Sequence, residues 1–493
     1  MKIIQKCACL GLTMLLSIAL IGCGITTPKP PQEKEVVEEL TILTTNDFHG
    51  AIAETNGQYG IARLAQNFKT VQDAAKATVI VSAGDMFQGT ALSNYNHGKT
   101  IIDIMNIMQF DAMTLGNHEF DWGYNEMYQY VDGNTSNGEA TFPFLGCNII
   151  EKETGTLPKG LKAYQIVERG GLKIAIIGYM GYGNESDIAT QMIAPYQFVQ
   201  PVPVIRDLTQ KLRTEENVDV VIVVGHEGKD SNQELAMLEG DARIDAIING
   251  HTHIRYTGTL KRSDGVSIPY IQTGSAGENY GVITLNIDKE TKQVIGGTAV
   301  AKASLGEKHE GVAKIVAQLE EETAPVFGRV IGVASSRIER YGAADWAATA
   351  LWEYAKTDLA VINIGGIRSQ AFPIEMGENI LVSKIYEIMP FDNVLKTTEL
   401  YGSDIRTLVN NGTLVKSANV DVQSNVIYIN GQPLNDQQKY SVATIDYIFD
   451  QNSYPFYKGT NSINTGVLFR DILIAKVEAT NDILIPTRGW FDE

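Results

Sequence analysis

Thr44-Thr45-Asn46-Asp47-Phe48-His49-Gly50 follows directly on the apolar run Leu40–Leu43. That run reads as a short buried strand. An Asp-x-His pair at the end of a strand puts a carboxylate and an imidazole on one side of the chain. Together they can hold one hard or borderline metal ion. A turn after a strand would expose the same pair by chance, so the segment is ambiguous taken alone. Its recurrence along the chain settles the reading.

Strands are expected at Leu40–Leu43, Ala77–Val81, Asp111–Leu115, Lys173–Ile177, Asp219–Val224, Ile244–Ile248 and Tyr270–Gln272. Several are unbroken Val/Ile runs, as in strands buried on both faces. Helical stretches such as Ile61–Ala75 and Ile101–Met108 lie between them, and such alternation implies an α/β fold. Ala77–Val81 runs into Ser82-Ala83-Gly84-Asp85, and Asp111–Leu115 into Gly116-Asn117-His118-Glu119-Phe120-Asp121. Asp219–Val224 runs into Gly225-His226-Glu227, and Ile244–Ile248 into Asn249-Gly250-His251-Thr252-His253. Open α/β sheets bind ligands beyond the carboxyl ends of their strands. Five strand ends therefore deliver Asp, His or Asn to one edge. The chain has seven His, and His49, His118, His226, His251 and His253 all fall in these clusters. His97, in a polar loop, and His309, near the start of a charged helix, read as surface residues.

Asp47, His49, Asp85, Asn117, His226, His251 and His253 form the available ligand set. If Asp85 bridges, two ions have four protein ligands each. Mixed carboxylate and imidazole donors suit Zn, Mn or Fe better than an all-oxygen Ca or Mg site. Two such ions can bind a phosphate between them and lower the pKa of a bound water, the expected nucleophile.

The chain has 493 residues, enough for two to four domains at roughly 100–200 residues each. Its 44% hydrophobic and 20% charged content fits a folded protein. A net charge of −18 argues against a general binder of nucleic-acid polymers, which needs clustered Lys and Arg. Lys2 and Lys6, the apolar run Cys9–Ile21 and Leu20-Ile21-Gly22-Cys23 read as a targeting segment. The last four residues resemble a bacterial lipobox, which implies cleavage before Cys23 and a lipid on its thiol. Residues 24–38, rich in Pro and charge, read as an extended tether. With Cys7 and Cys9 removed and Cys23 acylated, only Cys147 remains, so no intrachain disulfide is expected.

Further on, Val312, Ile315, Val316 and Leu319 recur at near-helical spacing, and Pro325 is expected to end that helix. A second α/β region follows, with a helix at Asp345–Ala355 and strands at Leu359–Ile364, Val426–Ile429 and Tyr440–Thr444. No internal repeat relates the two halves.

In this order, Asp-x-His, Gly-Asp, Gly-Asn-His-Glu, Gly-His-Glu and Gly-His-Thr-His resemble the calcineurin-like metallophosphoesterases. Gly365-Gly366-Ile367-Arg368 and Pro390-Phe391 narrow the resemblance to the bacterial 5′-nucleotidase / UDP-sugar hydrolase family. The resemblance implies an α/β chain with a metallophosphoesterase sandwich at 39–303, a linker helix at 304–326 and a smaller α/β substrate-binding domain at 327–493. A signal peptide at 1–22 and a tether at 23–38 precede them. It further implies Asp47, His49, Asp85 and His253 on one divalent ion, and Asp85, Asn117, His226 and His251 on the other. His118 would form a dyad with Asp121, stabilising charge on the phosphoryl group or leaving oxygen, while Glu119 would be a structural partner. Arg368, framed by Asn363 and Gly366, would bind phosphate, and Phe391 would be one of two rings around a base. The family's usual Gly-rich loop for the second ring is replaced by Asn452-Ser453-Tyr454-Pro455-Phe456, with Phe456 the expected ring. The family's Asn-x-Gly-Asn type segment is replaced by Gly342-Ala343-Ala344-Asp345.

The expected function is thus a lipid-anchored, extracytoplasmic two-metal hydrolase releasing phosphate from nucleotides. The altered loops leave a cyclic-nucleotide phosphodiesterase, a UDP-sugar hydrolase or another phosphoesterase as alternatives. A non-catalytic surface lipoprotein should have lost ligands, and all seven are present.

Overall fold

The computed structural model describes residues 36–55 and 58–486. The expected signal peptide, Cys23 and most of the tether lie outside the described residues.

Two six-stranded sheets form the N-terminal part. The first runs, in spatial order, Val294–Ala303, Asn279–Ile287, Glu39–Thr45, Thr78–Ser82, Ala112–Thr114 and Phe144–Leu145. The second runs Arg255–Lys261, Ser267–Thr273, Ala246–Ile248, Val220–His226, Leu172–Met180 and Tyr164–Arg169. The strands expected from Val/Ile runs form the parallel centres of both sheets, as in Ile42 against Val79 and Ile176 against Ile222. Alternate side chains serve two cores. Leu40, Ile42, Val79, Val81, Ile174, Ile176, Ile222 and Val224 meet between the sheets. Leu43 and Ile80 face an outer layer that includes Ile61, Phe68 and Ile101, while Val221 and Val223 face Ile205 and Leu212. A strand covered on both faces has no polar face to show, which explains its unbroken apolar sequence. The Thr114 hydroxyl donates to the Val224 carbonyl at 3.0 Å, linking the two sheets.

The antiparallel edge strands escape a search for apolar runs. Arg255–Lys261 alternates exposed and half-buried residues. Such alternation marks a strand with one wet face.

The helix Glu310–Phe327 follows. Val312, Val316 and Leu319 pack on the N-terminal core, while Phe327 at its far end joins the C-terminal core. Pro325 does not end it, contrary to expectation. The Gly328 amide still donates to the Ala324 carbonyl at 3.0 Å, so the last turn closes around the proline. The His309 ring caps the start, accepting from the Val312 amide at 3.3 Å.

The C-terminal part has a five-stranded sheet in the order Leu414–Lys416, Leu359–Asn363, Lys439–Ile445, Val394–Tyr401 and Thr460–Leu468. Its first long helix covers Arg340–Ala355, starting earlier than the expected Asp345. Arg340 explains the extension. Its guanidinium donates to the Ile367 and Ile364 carbonyls at 2.7 and 2.9 Å, pinning the first turn beside the Gly365-Gly366 bend.

Candidate metal centre

The sandwich brings all seven expected ligands to one edge. Asp47 and His49 follow the strand Glu39–Thr45, Asp85 follows Thr78–Ser82, and Asn117 follows Ala112–Thr114. His226 is the last residue of its strand, and His251 and His253 follow Ala246–Ile248. Three strands of one sheet and two of the other therefore converge. The backbone is held in an unfavourable form to achieve this. Asp47, His49, Asp85, His251 and His253 all have positive φ, between 49° and 71°. A non-glycine residue there costs of order 1 kcal/mol or more, and such strain concentrates at functional sites. Gly116 permits a close approach, since a Cβ on it would lie 2.2 Å from Asp85 Oδ1.

Two flanking groups of donors result, Asp47, His49 and His253 on one side and Asp85, His226 and His251 on the other, and a third, His49, Asp85 and His118, links them. His49 Nε2 lies 2.9 Å from His253 Nε2 and 3.8 Å from Asp85 Oδ2. His253 Nε2 lies 3.5 Å from Asp47 Oδ1. On the other side, His226 Nε2 lies 3.2 Å from Asp85 Oδ2 and 3.0 Å from Asn117 Oδ1, and His251 Nδ1 lies 3.0 Å from Asn117 Oδ1. Asp85 thus faces both groups.

The tautomers follow from the anchors. His49 Nδ1 meets the Gln88 carbonyl at 3.1 Å, and His226 Nδ1 meets the Ala83 carbonyl at 2.7 Å. A carbonyl only accepts, so each Nδ1 carries the proton and each Nε2 is the atom turned toward the donor cluster, available to a cation. Burial, with Arg368 and His253 adding to it, holds His49 well below the usual imidazole range. Burial, reinforced by Arg368, likewise brings His253 down to about 4. Both rings are therefore neutral, with two nitrogens pointed at one spot. Burial opposes charge on His226, but Asp85 outweighs it and pushes the ring up to about 10. Burial also pushes Asp47 up to about 7. Burial opposes the Asp85 charge too, yet His226 and His118 together hold it well below the carboxylate range. The donor set fits divalent cations: a cation would take the place of the His226 Nε2 proton and satisfy the facing lone pairs of His49 and His253.

Two buried residues of the surrounding shell are held by several hydrogen bonds each. Glu119 is buried, and its carboxylate accepts from the amides of Asp85, Met86 and Gly116 at 2.8, 2.8 and 2.7 Å. It braces two metal loops and touches no donor atom of the site, the structural part expected of it. Asn46 accepts from the Thr273 amide and hydroxyl at 2.8 and 2.6 Å and donates to the Gly274 carbonyl at 2.8 Å. It clamps the Asp47 loop to the second sheet, a role the sequence reading missed. Asp187, also missed, lies 3.4 Å from His251 Nε2.

His118 stands beside the ligands. Its Nδ1 lies 2.8 Å from Asp121 Oδ2, and its amide donates to Asp85 Oδ1 at 3.0 Å. Burial opposes its charge, but Asp121 and Asp85 outweigh burial and hold its pKa above the ordinary value.

A cavity of about 450 Å³ opens over this edge, closed on the far side by Asn363, Gly366, Arg368, Phe391 and Tyr447. The Arg368 guanidinium reaches to 3.5 Å from His49 Nε2 and lies 5.7 Å from the Phe391 ring centre. Phe391 stacks on His118 at 5.6 Å. Arg470 fixes that ring's loop by donating to the Pro390 and Phe391 carbonyls at 3.0 and 3.2 Å.

Phe456 is not in this wall. It is 2% exposed, stacks on Phe449 at 5.4 Å and belongs to the C-terminal core. Pro455 starts a short helical turn over Pro455–Lys458 that turns Phe456 inward. The second aromatic residue on the C-terminal side of the cavity is Tyr447, which follows the strand Lys439–Ile445. Strand-end logic, applied to the second half, would have found it.

Comparison with known proteins agrees with this geometry. Residues 40–255 match the model for calcineurin-like phosphoesterases, and residues 315–458 match that for the 5′-nucleotidase C-terminal domain. The chain is 25% identical to Protein UshA of Yersinia enterocolitica, over 90% of this chain and 92% of that protein. It is 27% identical to Endonuclease YhcR of Bacillus subtilis over 75% of this chain, which spans only 32% of that longer protein. Its fold is that of a 5′-nucleotidase precursor from Thermus thermophilus, with a TM-score of 0.78, 21% identity, and 92% of this chain and 98% of the other covered. The chain belongs to the metallophosphoesterases that join a calcineurin-like domain to a 5′-nucleotidase C-terminal domain, and it is a metal-dependent phosphoester hydrolase.

Proposed function

We propose that the chain releases phosphate from nucleoside 5′-phosphates with the help of two divalent cations of the Zn or Mn type, both of which Asp85 would help to hold. The observation that carries this reading is the convergence of seven donors from both sheets on a cavity whose opposite wall holds Arg368 and Phe391. When bound, the cations supply positive charge for phosphoryl oxygens and acidify a water. Asp47, His49 and His253 would hold one, and Asn117, His226 and His251 the other. Arg368 binds the phosphoryl group from the far side and orients it. A water oxygen, its proton released to solvent, then bonds to phosphorus while the P–O bond to the ribose breaks. His118, kept protonated by Asp121, donates a proton to the leaving oxygen. Phe391 and Tyr447 flank the nucleoside.

We also place the enzyme outside the cytoplasm, held by lipid on Cys23; the lipobox-like sequence supports this. Among the described residues no helix is long and apolar enough to cross a membrane.

The test is phosphate release across nucleoside mono-, di- and triphosphates, a cyclic nucleotide, a UDP-sugar and an aryl phosphate, with Mn, Zn, Co or Mg. A strong preference for nucleoside 5′-phosphates is expected. The inward turn of Phe456 favours one second reading, a phosphoesterase for a different ester on the same metals. Equal rates on nucleotides and the aryl phosphate would select it.

A further inference from the structure

The loop that carries Asp85 continues through Met86, Phe87 and Gln88 to Gly89. Gln88 is 1% exposed and lines the cavity with Asp85, Asn117, His118 and Arg368. Its main-chain carbonyl is used, holding His49 Nδ1. Its side chain is not: neither Oε1 nor Nε2 has a hydrogen-bond partner among the described residues. Leaving both poles of an amide unpaired in a buried place is costly, and folds avoid it unless something else binds there. The contrast with the neighbouring shell is plain. Glu119 and Asn46, equally buried, are satisfied by three and four hydrogen bonds respectively. Across the cavity Asn363 Oδ1 is likewise without a partner.

A group that satisfies the Gln88 Nε2 donor must enter the cavity that His118 and Arg368 also line, and must accept a hydrogen bond there. A phosphoryl oxygen meets both conditions. We infer that the Gln88 side-chain amide is a further substrate-binding group, its N–H donating to a non-bridging oxygen of the phosphoryl group. The inference rests on the phosphoester reading above. It adds to Arg368 a neutral donor on the N-terminal side, carried by the same loop as Asp85. The group is oriented without adding charge to a site already crowded with it.

Gln88→Met keeps the length and volume of the side chain and removes both poles; Gln88→Glu keeps the shape and replaces the donor with a carboxylate. Each variant is compared with the metal-loaded wild type by kcat/KM, inhibition by inorganic phosphate, metal content and melting temperature. Gln88→Met is expected to lose roughly 10- to 100-fold in kcat/KM, the range of one hydrogen bond to a charged group. It should be inhibited correspondingly less by phosphate, hold the same metal, and melt at or above the wild-type temperature, because an unpaired buried amide has been removed. Gln88→Glu should lose more, through repulsion of the phosphoryl group. A packing role would instead lower melting temperature and activity together. Retention by Gln88→Met of kcat/KM and of phosphate inhibition within about twofold would overturn the inference. If the wild type released phosphate from none of the esters, the proposed function would fail instead. Calorimetric binding of inorganic phosphate to metal-loaded wild type and Gln88→Met would then still decide the role of Gln88.

Discussion

The two sides of the cavity are built on different principles. On the N-terminal side five strand ends from two sheets fix seven donors, and buried groups such as Glu119 and Asn46 are satisfied by main-chain partners. The backbone is strained at five of those donors, and the shell over-determines them. On the C-terminal side the wall comes from bends and loops: Arg368 after a turn, Phe391 on a loop tied by Arg470, and Tyr447 just past a strand. Rigid strand ends suit chemistry that tolerates little displacement of a ligand. Loops held by a few hydrogen bonds suit a wall that can be changed to take another ester.

This difference orders the expected effects of substitution. The largest belongs to Asp85, the one carboxylate facing both donor groups. Asp85→Asn should lose bound metal and reduce turnover by roughly 10³-fold or more. Metal analysis and phosphate release on the same sample check this, and near-normal turnover would break the contrast outright. Next comes the dyad. His118→Ala should cost roughly 10²- to 10⁴-fold in kcat with metal retained. Asp121→Asn removes the group that most raises the His118 pKa. The form that donates the proton would then be lost at lower pH, so the alkaline limb of the kcat profile should move downward.

Smaller effects separate core from wall on the C-terminal side. Phe456→Ala should destabilise the fold by about 3–5 kcal/mol, as for other buried aromatic truncations, with KM unchanged. Phe391→Ala should do the reverse: roughly tenfold in KM for nucleotides, nothing for an aryl phosphate, and little change in melting. Exchange of those two outcomes would restore Phe456 to the wall. The smallest expected effect is at Cys147. Burial pushes this thiol up to about 12, so alkylation at neutral pH should label it only after unfolding.

The same division governs what could be read from the sequence. Ligands at strand ends are legible because a doubly buried strand is an unbroken Val/Ile run and the next polar residues must lie at the sheet edge. Asp47, Asp85, Asn117, His226 and His251 were all placed that way. One-sided strands such as Arg255–Lys261 lack the run and were missed. Phe456 illustrates the limit for loops. An aromatic residue beside a proline can turn either way, and only the packing against Phe449 shows that it turns inward. Gln88 was invisible for a different reason: an amide in a loop has no pattern, and only its unpaired, buried state singles it out.

The central claim is that Asp85 joins two cation sites that work together. The most direct measurement is stoichiometric reconstitution of the metal-free chain with Mn or Zn, with bound metal and phosphate release followed on the same samples. Two ions per chain, with phosphate release completed only as the second binds, is the predicted result. Full activity with one ion bound, or phosphate release untouched by chelation, would contradict it.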